Sequence, residues 1–401
     1  MSIASEITRL QNAKASIKTS IEAKGVTVPS SAKLDDYSDY VDAIQTGGGT
    51  SKIAGVLEGT VTTMNASDFD GATTLRGSAF RNCTSLTSVT LPNTLTSMSR
   101  DGYQFDNCTS LTSFNASSTL SELPNYCFNE CSNLTNINLS NITTLNRGVF
   151  RNCTSLVTID VSNVTSFGFP NLSSNPSVGT FSGCSSLSNI TWSTSVDYFY
   201  GYNFFKDCSS LRSFVAPTYT GNVDVSFQYG FEGCTSLETL DLRGIGERLS
   251  GVSMGSSTAT LPNLTTVQFP TTVKGNFYNG SGRMLQGTTS LTTITLPTPV
   301  SSTTQCGAAI LQYSGITSIT TPNNLKTLGN YMFDHCSSLA SVTISADVNS
   351  INQYCFANCP LLTEITYLGT MAQWNSATKG SNWMQNTPLA TVHCSDGDIT
   401  L

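Results

Sequence analysis

With 401 residues, 38% of them hydrophobic and 11% charged, the chain is too apolar and aromatic to be disordered, and Ser, Thr and Asn stand where an ordinary domain carries charge. A net charge of −7 without a basic cluster argues against nucleic acid and anionic membrane surfaces as partners. No apolar run approaches a membrane span, so membrane insertion is not expected.

Residues 1–46 read as a helical segment for docking or oligomerisation. Ile3, Ile7, Leu10, Lys14, Ile17 and Ile21 follow the alternating spacing of a heptad, and Gly25 stops the helix. A second helical pattern runs Leu34, Tyr37, Val41, Ile44 and ends in a Gly-rich linker, residues 47–52. Isoleucine at both seam positions favours a homotrimer over a dimer, although Lys14 sits in the seam. A helical hairpin packed on itself or on the first coil suits the same residues. The start Met1-Ser-Ile-Ala-Ser-Glu6 has neither the basic nor the apolar region of a signal peptide, so signal-directed export is not expected.

From residue 53 to 368 one phrase recurs, F-x-x-C-[TS]-S-L-x-x-[VI]-x-L. Its leucine column runs Leu86, Leu111, Leu134, Leu156, Leu187, Leu211, Leu237, Leu264, Leu291, Ile316, Leu339 and Leu362, at intervals of 22 to 31 residues. A fixed period of this length predicts a repeat solenoid of about twelve coils. In Leu86-Thr-Ser-Val89-Thr-Leu91-Pro92 the apolar residues alternate with polar ones, as in a strand with one buried face. A second short segment, such as Leu95 to Met98 or Thr327-Leu328, follows before the next phenylalanine. One coil cannot bury its own apolar edge, so coils must stack into a parallel sheet. The outward positions form two rows, including Ser88 with Thr90, Thr239 with Asp241, Thr266 with Gln268 and Thr293 with Thr295. Such a hydroxyl and amide face suits either a solvated sheet surface or a ligand platform.

Nine cysteines, among them Cys83, Cys108, Cys131, Cys336 and Cys359, occupy one column of successive coils, where Thr288 and Ser314 also appear. A position that accepts Thr or Ser is a packing position, so structural thiols are expected and metal ligands are not. Residues 369–401, with Trp374 and Trp383, read as a cap over the last coil.

Two resemblances follow from these residues. The phrases Leu328-Gly-Asn-Tyr-Met-Phe333-Asp-His-Cys336-Ser-Ser-Leu339 and Leu145-Asn-Arg-Gly-Val-Phe150-Arg-Asn-Cys153 resemble the BspA-like class of leucine-rich repeats. That resemblance covers roughly residues 75–368 and implies adhesion or recognition, with no catalytic residue to carry over. The segment Ala13, Ile17, Ile21, Gly25, Val26, Val28, Pro29, Leu34, Tyr37 is similar to N-terminal regions of tailed-phage structural proteins. It implies a virion protein, made in the host cytoplasm and released by lysis, whose N-terminus attaches to other virion proteins.

No enzyme is expected: the two histidines, His335 and His393, lie in a repeat turn and in the cap, and Asp160 and Asp241 are several coils apart. No cofactor is expected either. The leading expectation is a tail or head fibre whose array recognises a bacterial glycan or protein; a bacterial cell-surface adhesin and a passive virion decoration or spacer are the alternatives. Candidate ligand-binding residues lie where the coils lengthen in mid-array: Tyr198, Tyr200, Tyr202, Tyr219, Tyr229, Arg243, Arg248, Phe277, Tyr278 and Arg283. The same aromatics would serve equally as plugs for the cores of longer coils.

Overall fold

The computed structural model describes residues 11, 14–19, 21–22, 50–69, 71–168, 178–253, 261–274, 277, 283–302 and 307–401. The fold is a parallel-sheet β-solenoid of about twelve turns with few helices. It divides into two compact units, Met1–Val164 and Thr165–Leu401.

Of the N-terminal segment, Gln11, 14–19 and 21–22 are helical, with Ile17 39% exposed and Ile21 2%. Ile3, Ile7, Leu10, Leu34, Tyr37, Val41 and Ile44 lie outside the described residues, as does Tyr278. A helix α1 (Thr50–Leu57) crosses the boundary drawn between linker and array, and the strand ladder starts only at Thr63–Met64. Thr50 to Leu57 holds apolar residues at helical spacing behind the glycine run, and Gly59, at φ 75°, ends the helix by donating to the Val56 carbonyl.

In the first unit the strands Thr63–Met64, Ser88–Thr90, Ser113–Asn115 and Asn136–Asn138 form one parallel sheet in register, Ser88 opposite Ser113 and Ser113 opposite Asn136. A second row of two-residue strands, such as Ser97–Met98 and Glu122–Leu123, lies on the other side of each coil. Between the rows sit the leucine column and a stack of phenylalanines. Phe80, Phe105, Phe128 and Phe150 lie nearly parallel, at 5.4, 5.4 and 5.8 Å between successive rings. Identical side chains one coil apart cannot avoid one another, so the repeat turns burial into ring stacking.

The phenylalanine turn owes its shape to left-handed residues on both sides of the ring, as at Ser78 and Asn82 or Tyr103 and Asn107. This conformation aims alternate amides at the next coil: Ser78, Phe80 and Asn82 donate to the carbonyls of Gly102, Gln104 and Asp106. The cysteine column closes the turn from within. Cys108 Sγ donates to the Phe80 carbonyl at 3.0 Å, Cys131 to Phe105 at 3.0 Å and Cys153 to Phe128 at 3.2 Å. In the second unit Cys208, Cys234, Cys336 and Cys359 do the same toward Phe181, Phe205, Leu311 and Phe333. Every cysteine among the described residues is a free thiol. Burial pushes the thiols of Cys108, Cys131, Cys208 and Cys234 up, and those of Cys336 and Cys359 to about 11 and about 12, so they persist as protonated donors.

The last segment extends the ladder before it closes it. Thr378–Lys379 pairs in parallel with Ser350–Ile351, and Thr391–Cys394 with Glu364–Tyr367, making one further coil. The Thr387 hydroxyl donates to the Phe356 carbonyl, the bond a cysteine makes elsewhere. Helix α2 (Met371–Ser376), held by a capping box between Thr370 and Gln373, buries Trp374 against Tyr367 and Trp383, at 5.3 and 6.1 Å. Gly397–Thr400 then returns antiparallel along Thr391–Cys394 and ends the sheet in a short strand carrying the exposed Asp398.

Candidate functional site

The outward rows face solvent as expected, with one correction. Asp241 is only 7% exposed, because Arg243 two residues on folds back over it in a two-pronged ion pair of 2.7 Å. Burial alone would raise the Asp241 carboxyl, but the Arg243 bonds outweigh it and hold the group below the usual carboxylate range.

The mid-array candidates fall into separate places. Tyr200 and Tyr202 stack at 6.3 Å, and Tyr202 meets Tyr229 edge-on at 5.5 Å. Tyr229 takes φ 55° in the phenylalanine turn and is 36% exposed, so the three rings form a half-open aromatic shelf. Tyr198, half-buried on the strand Tyr198–Phe199, flanks it across Gly168, where a Cβ would come within 2.6 Å of the Tyr200 Cβ. Tyr219 belongs elsewhere: its hydroxyl donates to the Val223 carbonyl at 2.8 Å, beside Asp224, which binds Lys274 at 2.7 Å and Arg248 at 3.4 Å. Phe277 is a correction. It is fully buried, edge-on to Phe269 at 5.6 Å, and fills the core of its coil instead of meeting a ligand. Arg283 is exposed, held at φ 59° in a turn by its amide bond to the Ala308 carbonyl.

A cleft that the sequence reading missed lies between the coils of 261–274 and 288–298. It encloses about 620 Å³ and is lined by Thr265 to Thr271 and Thr293 to Thr298, with Arg243 at its side. At several other steps of the unit the residue after the leucine donates back to the preceding coil, as Thr265 to Glu238, Thr317 to Thr292 and Ala340 to Thr317. Among the described residues no such bond joins Thr292 to Thr265, nor Phe269 to Thr295. The second row stays closed, with Thr272 opposite Thr298 and Val300 donating to the Val273 carbonyl at 2.8 Å. The two coils therefore part on the first sheet only. Ile294 at its wall is half-exposed, as are Ile137 and Ile190 of the same column, whereas Leu240 and Ile319 are 0% and 4% exposed. The one signal in the sequence was the lapse of the cysteine phrase between Cys234 and Cys336.

The histidines are held by carboxylates in separate places, His335 in a repeat turn and His393 on the strand Thr391–Cys394. His335 stacks on Tyr313 at 4.6 Å and meets Asp334 at 2.8 Å; His393 lies between Asp398 at 2.9 Å and Glu364 at 3.2 Å.

With the coil geometry in place, the repeat profile of BspA-type leucine-rich repeat regions matches residues 61–176, 162–281 and 261–378. The chain belongs to the BspA-type leucine-rich repeat family. Three solved structures are similar to it at low identity. A leucine-rich cell-surface protein of Faecalibacterium prausnitzii is 21% identical over 77% of this chain and 86% of that one, with a TM-score of 0.40. A leucine-rich repeat protein of Bacteroides ovatus is 18% identical over 80% of this chain and 64% of that one, with a TM-score of 0.42. The pneumococcal vaccine antigen PcpA is 13% identical over 83% and 78%, with a TM-score of 0.41. No curated protein matches the sequence. Family membership rests on the repeat profile, and the fold is of a kind that typically serves as a binding scaffold.

Proposed function

We propose that the protein is a non-enzymatic recognition module that binds a bacterial surface through its repeat array and is carried on a tailed-phage particle by residues 1–46. The observation that supports recognition is the shelf of Tyr200, Tyr202 and Tyr229, partly exposed rings held in place by the ladder. Pre-ordered aromatic faces bind sugar rings or peptide side chains at low entropic cost. Attachment to a particle is supported by the resemblance of the N-terminal segment to tailed-phage structural proteins, a segment set off from the array by glycines. Family membership alone favours a second reading, a bacterial cell-surface adhesin.

The test is binding of labelled full-length protein to a panel of bacterial cells, with Tyr200, Tyr202 and Tyr229 replaced together by Ala. Cell binding by the wild type that falls at least about tenfold in the triple variant supports the shelf; unchanged binding rejects it. Recovery of the protein in purified particles supports the virion reading, and recovery in the surface fraction of growing cells without particles replaces it with the adhesin.

A further inference from the structure

We propose that the cleft between the coils of 261–274 and 288–298 binds an extended segment of a partner polypeptide as an added parallel strand. This goes beyond surface recognition by the tyrosine shelf and does not depend on where the protein is displayed.

The direction of the backbone carries the inference. Thr266 donates to the Glu238 carbonyl, and the Gln268 carbonyl accepts from Leu242, so residues 266 and 268 turn their backbone groups toward the strand Thr239–Asp241. In a parallel ladder alternate residues face opposite neighbours. The amide and carbonyl of Val267 and the amide of Phe269 therefore point into the cleft, and no ladder bond meets them among the described residues. The opposite wall is the run Thr293 to Leu296, which forms no strand and likewise lacks its rungs to Thr265 and Phe269.

Donors and acceptors spaced at ladder pitch along Val267 to Phe269 match another extended backbone, which can complete that edge; a sugar or a compact metabolite cannot reproduce that spacing. The side-chain lining sets the sequence such a strand needs. Phe269, Leu296 and the half-exposed Ile294 form the inner floor, while Thr266, Gln268, Thr293 and Thr295 stand at the rim. A segment of about three to four residues with one β-branched apolar side chain inward and hydroxyl or amide side chains outward fits, at about 3.3 Å per residue. The chain's own strands have this pattern, as in Ser318-Ile319-Thr320. A cavity of about 620 Å³ falls within the range of sites that hold small peptides and ligands.

The probe is a synthetic peptide with the sequence of residues 315–321, fluorescently labelled and titrated into the full chain. Saturable binding below about 1 mM is expected, with amide exchange slowed at Val267 and Phe269. A peptide N-methylated at two alternate residues should bind at least about tenfold more weakly, since it loses main-chain donors and keeps its side chains. Val267→Pro, which removes an amide aimed into the cleft, should abolish binding. Its fold is checked by unchanged exchange in the strand Thr239–Asp241, and the two-peptide comparison on the wild type stands if that variant does not fold. No binding at about 1 mM, equal affinity for the N-methylated peptide, or binding that leaves Val267 and Phe269 unprotected would each overturn the proposal. Self-association of the protein that the peptide reverses would replace the partner with a second copy of the chain. Wild-type protein that binds cells but not the peptide rejects the cleft alone, and peptide binding without cell binding rejects the tyrosine shelf alone.

Discussion

Replacing Cys131 by Ser and by Ala separates the two things a cysteine does in this column. Its side chain is fully buried, and its Sγ donates to the Phe105 carbonyl at 3.0 Å, a carbonyl that also accepts the Cys108 amide at 3.2 Å. Ala removes the sulfur and the donor together. The lost burial and the small void cost about 1–2 kcal/mol and the lost bond about 1, for a total of about 2–3 kcal/mol. Ser is almost the same size as Ala but keeps a hydroxyl where Thr387 already makes the equivalent bond to Phe356. It should recover about 1 kcal/mol of the loss. The measurement is the urea midpoint of the full chain together with amide exchange at Phe105 and Phe128, because repeat arrays need not unfold in one step. If Ser is no better than Ala, the column is a matter of volume alone and the hydrogen-bond ladder has no energetic role.

Arg243→Ala leaves Asp241 buried without its partner. Because Arg243 holds the folded Asp241 carboxyl low, its contribution is present above the unfolded value near 4 and is lost as pH falls through the folded value. The variant should flatten stability across that acid window in pH-dependent urea melts, and an unchanged slope would show that the pair is idle. At the other end of the scale, Asp398 and then Glu364 raise His393, so its contribution is present below the ordinary histidine value and lost as pH rises through the raised one. His393→Gln should remove that loss, read as exchange at Ile399, whose partner Val392 adjoins His393. Gly102→Ala combines φ 82° with a Cβ 2.1 Å from the Asn125 carbonyl and should cost at least about 2 kcal/mol in thermal melts, whereas Gly71→Ala, at φ 72° with nothing within 4 Å, should cost less.

The leucine and phenylalanine columns were legible because each is a burial requirement repeated at every coil, and burial is what hydrophobic periodicity reports. Trp374 was legible for the same reason. Helix α1 was not: its apolar residues follow a glycine run that reads as linker, and its last turn is fixed by the positive φ of Gly59. Phe277 misled because an aromatic in a long coil has the same composition whether it plugs the core or lines a site. The tyrosine shelf was partly legible, since Tyr200 and Tyr202 are neighbours in sequence, but Tyr229 joins them only through stacking of one coil on the next. Asp241 escaped because an ion pair two residues long can pull an outward position under cover, and period-2 patterning carries no charge term.

The lapse of the cysteine phrase and the parting of the first sheet fall in the same stretch of the array. A cysteine thiol in this column reaches back and ties its coil to the one before it, as Cys359 does to Phe333 at 3.2 Å. Thr288 instead turns its hydroxyl onto Leu285 of its own coil at 2.8 Å, and Ser314 meets the Cys336 thiol of the coil ahead at 3.4 Å. Neither hydroxyl is recorded binding a carbonyl of the preceding coil among the described residues. The coil that carries Thr288 is the one whose first strand has lost its rungs to Thr265 and Phe269, while its second row, held by Thr272 and Thr298, remains shut. The leucine column is undisturbed on either side of the opening, where Leu264, Leu291 and Ile316 are all fully buried. The first sheet can thus open while the leucine core beneath it stays closed.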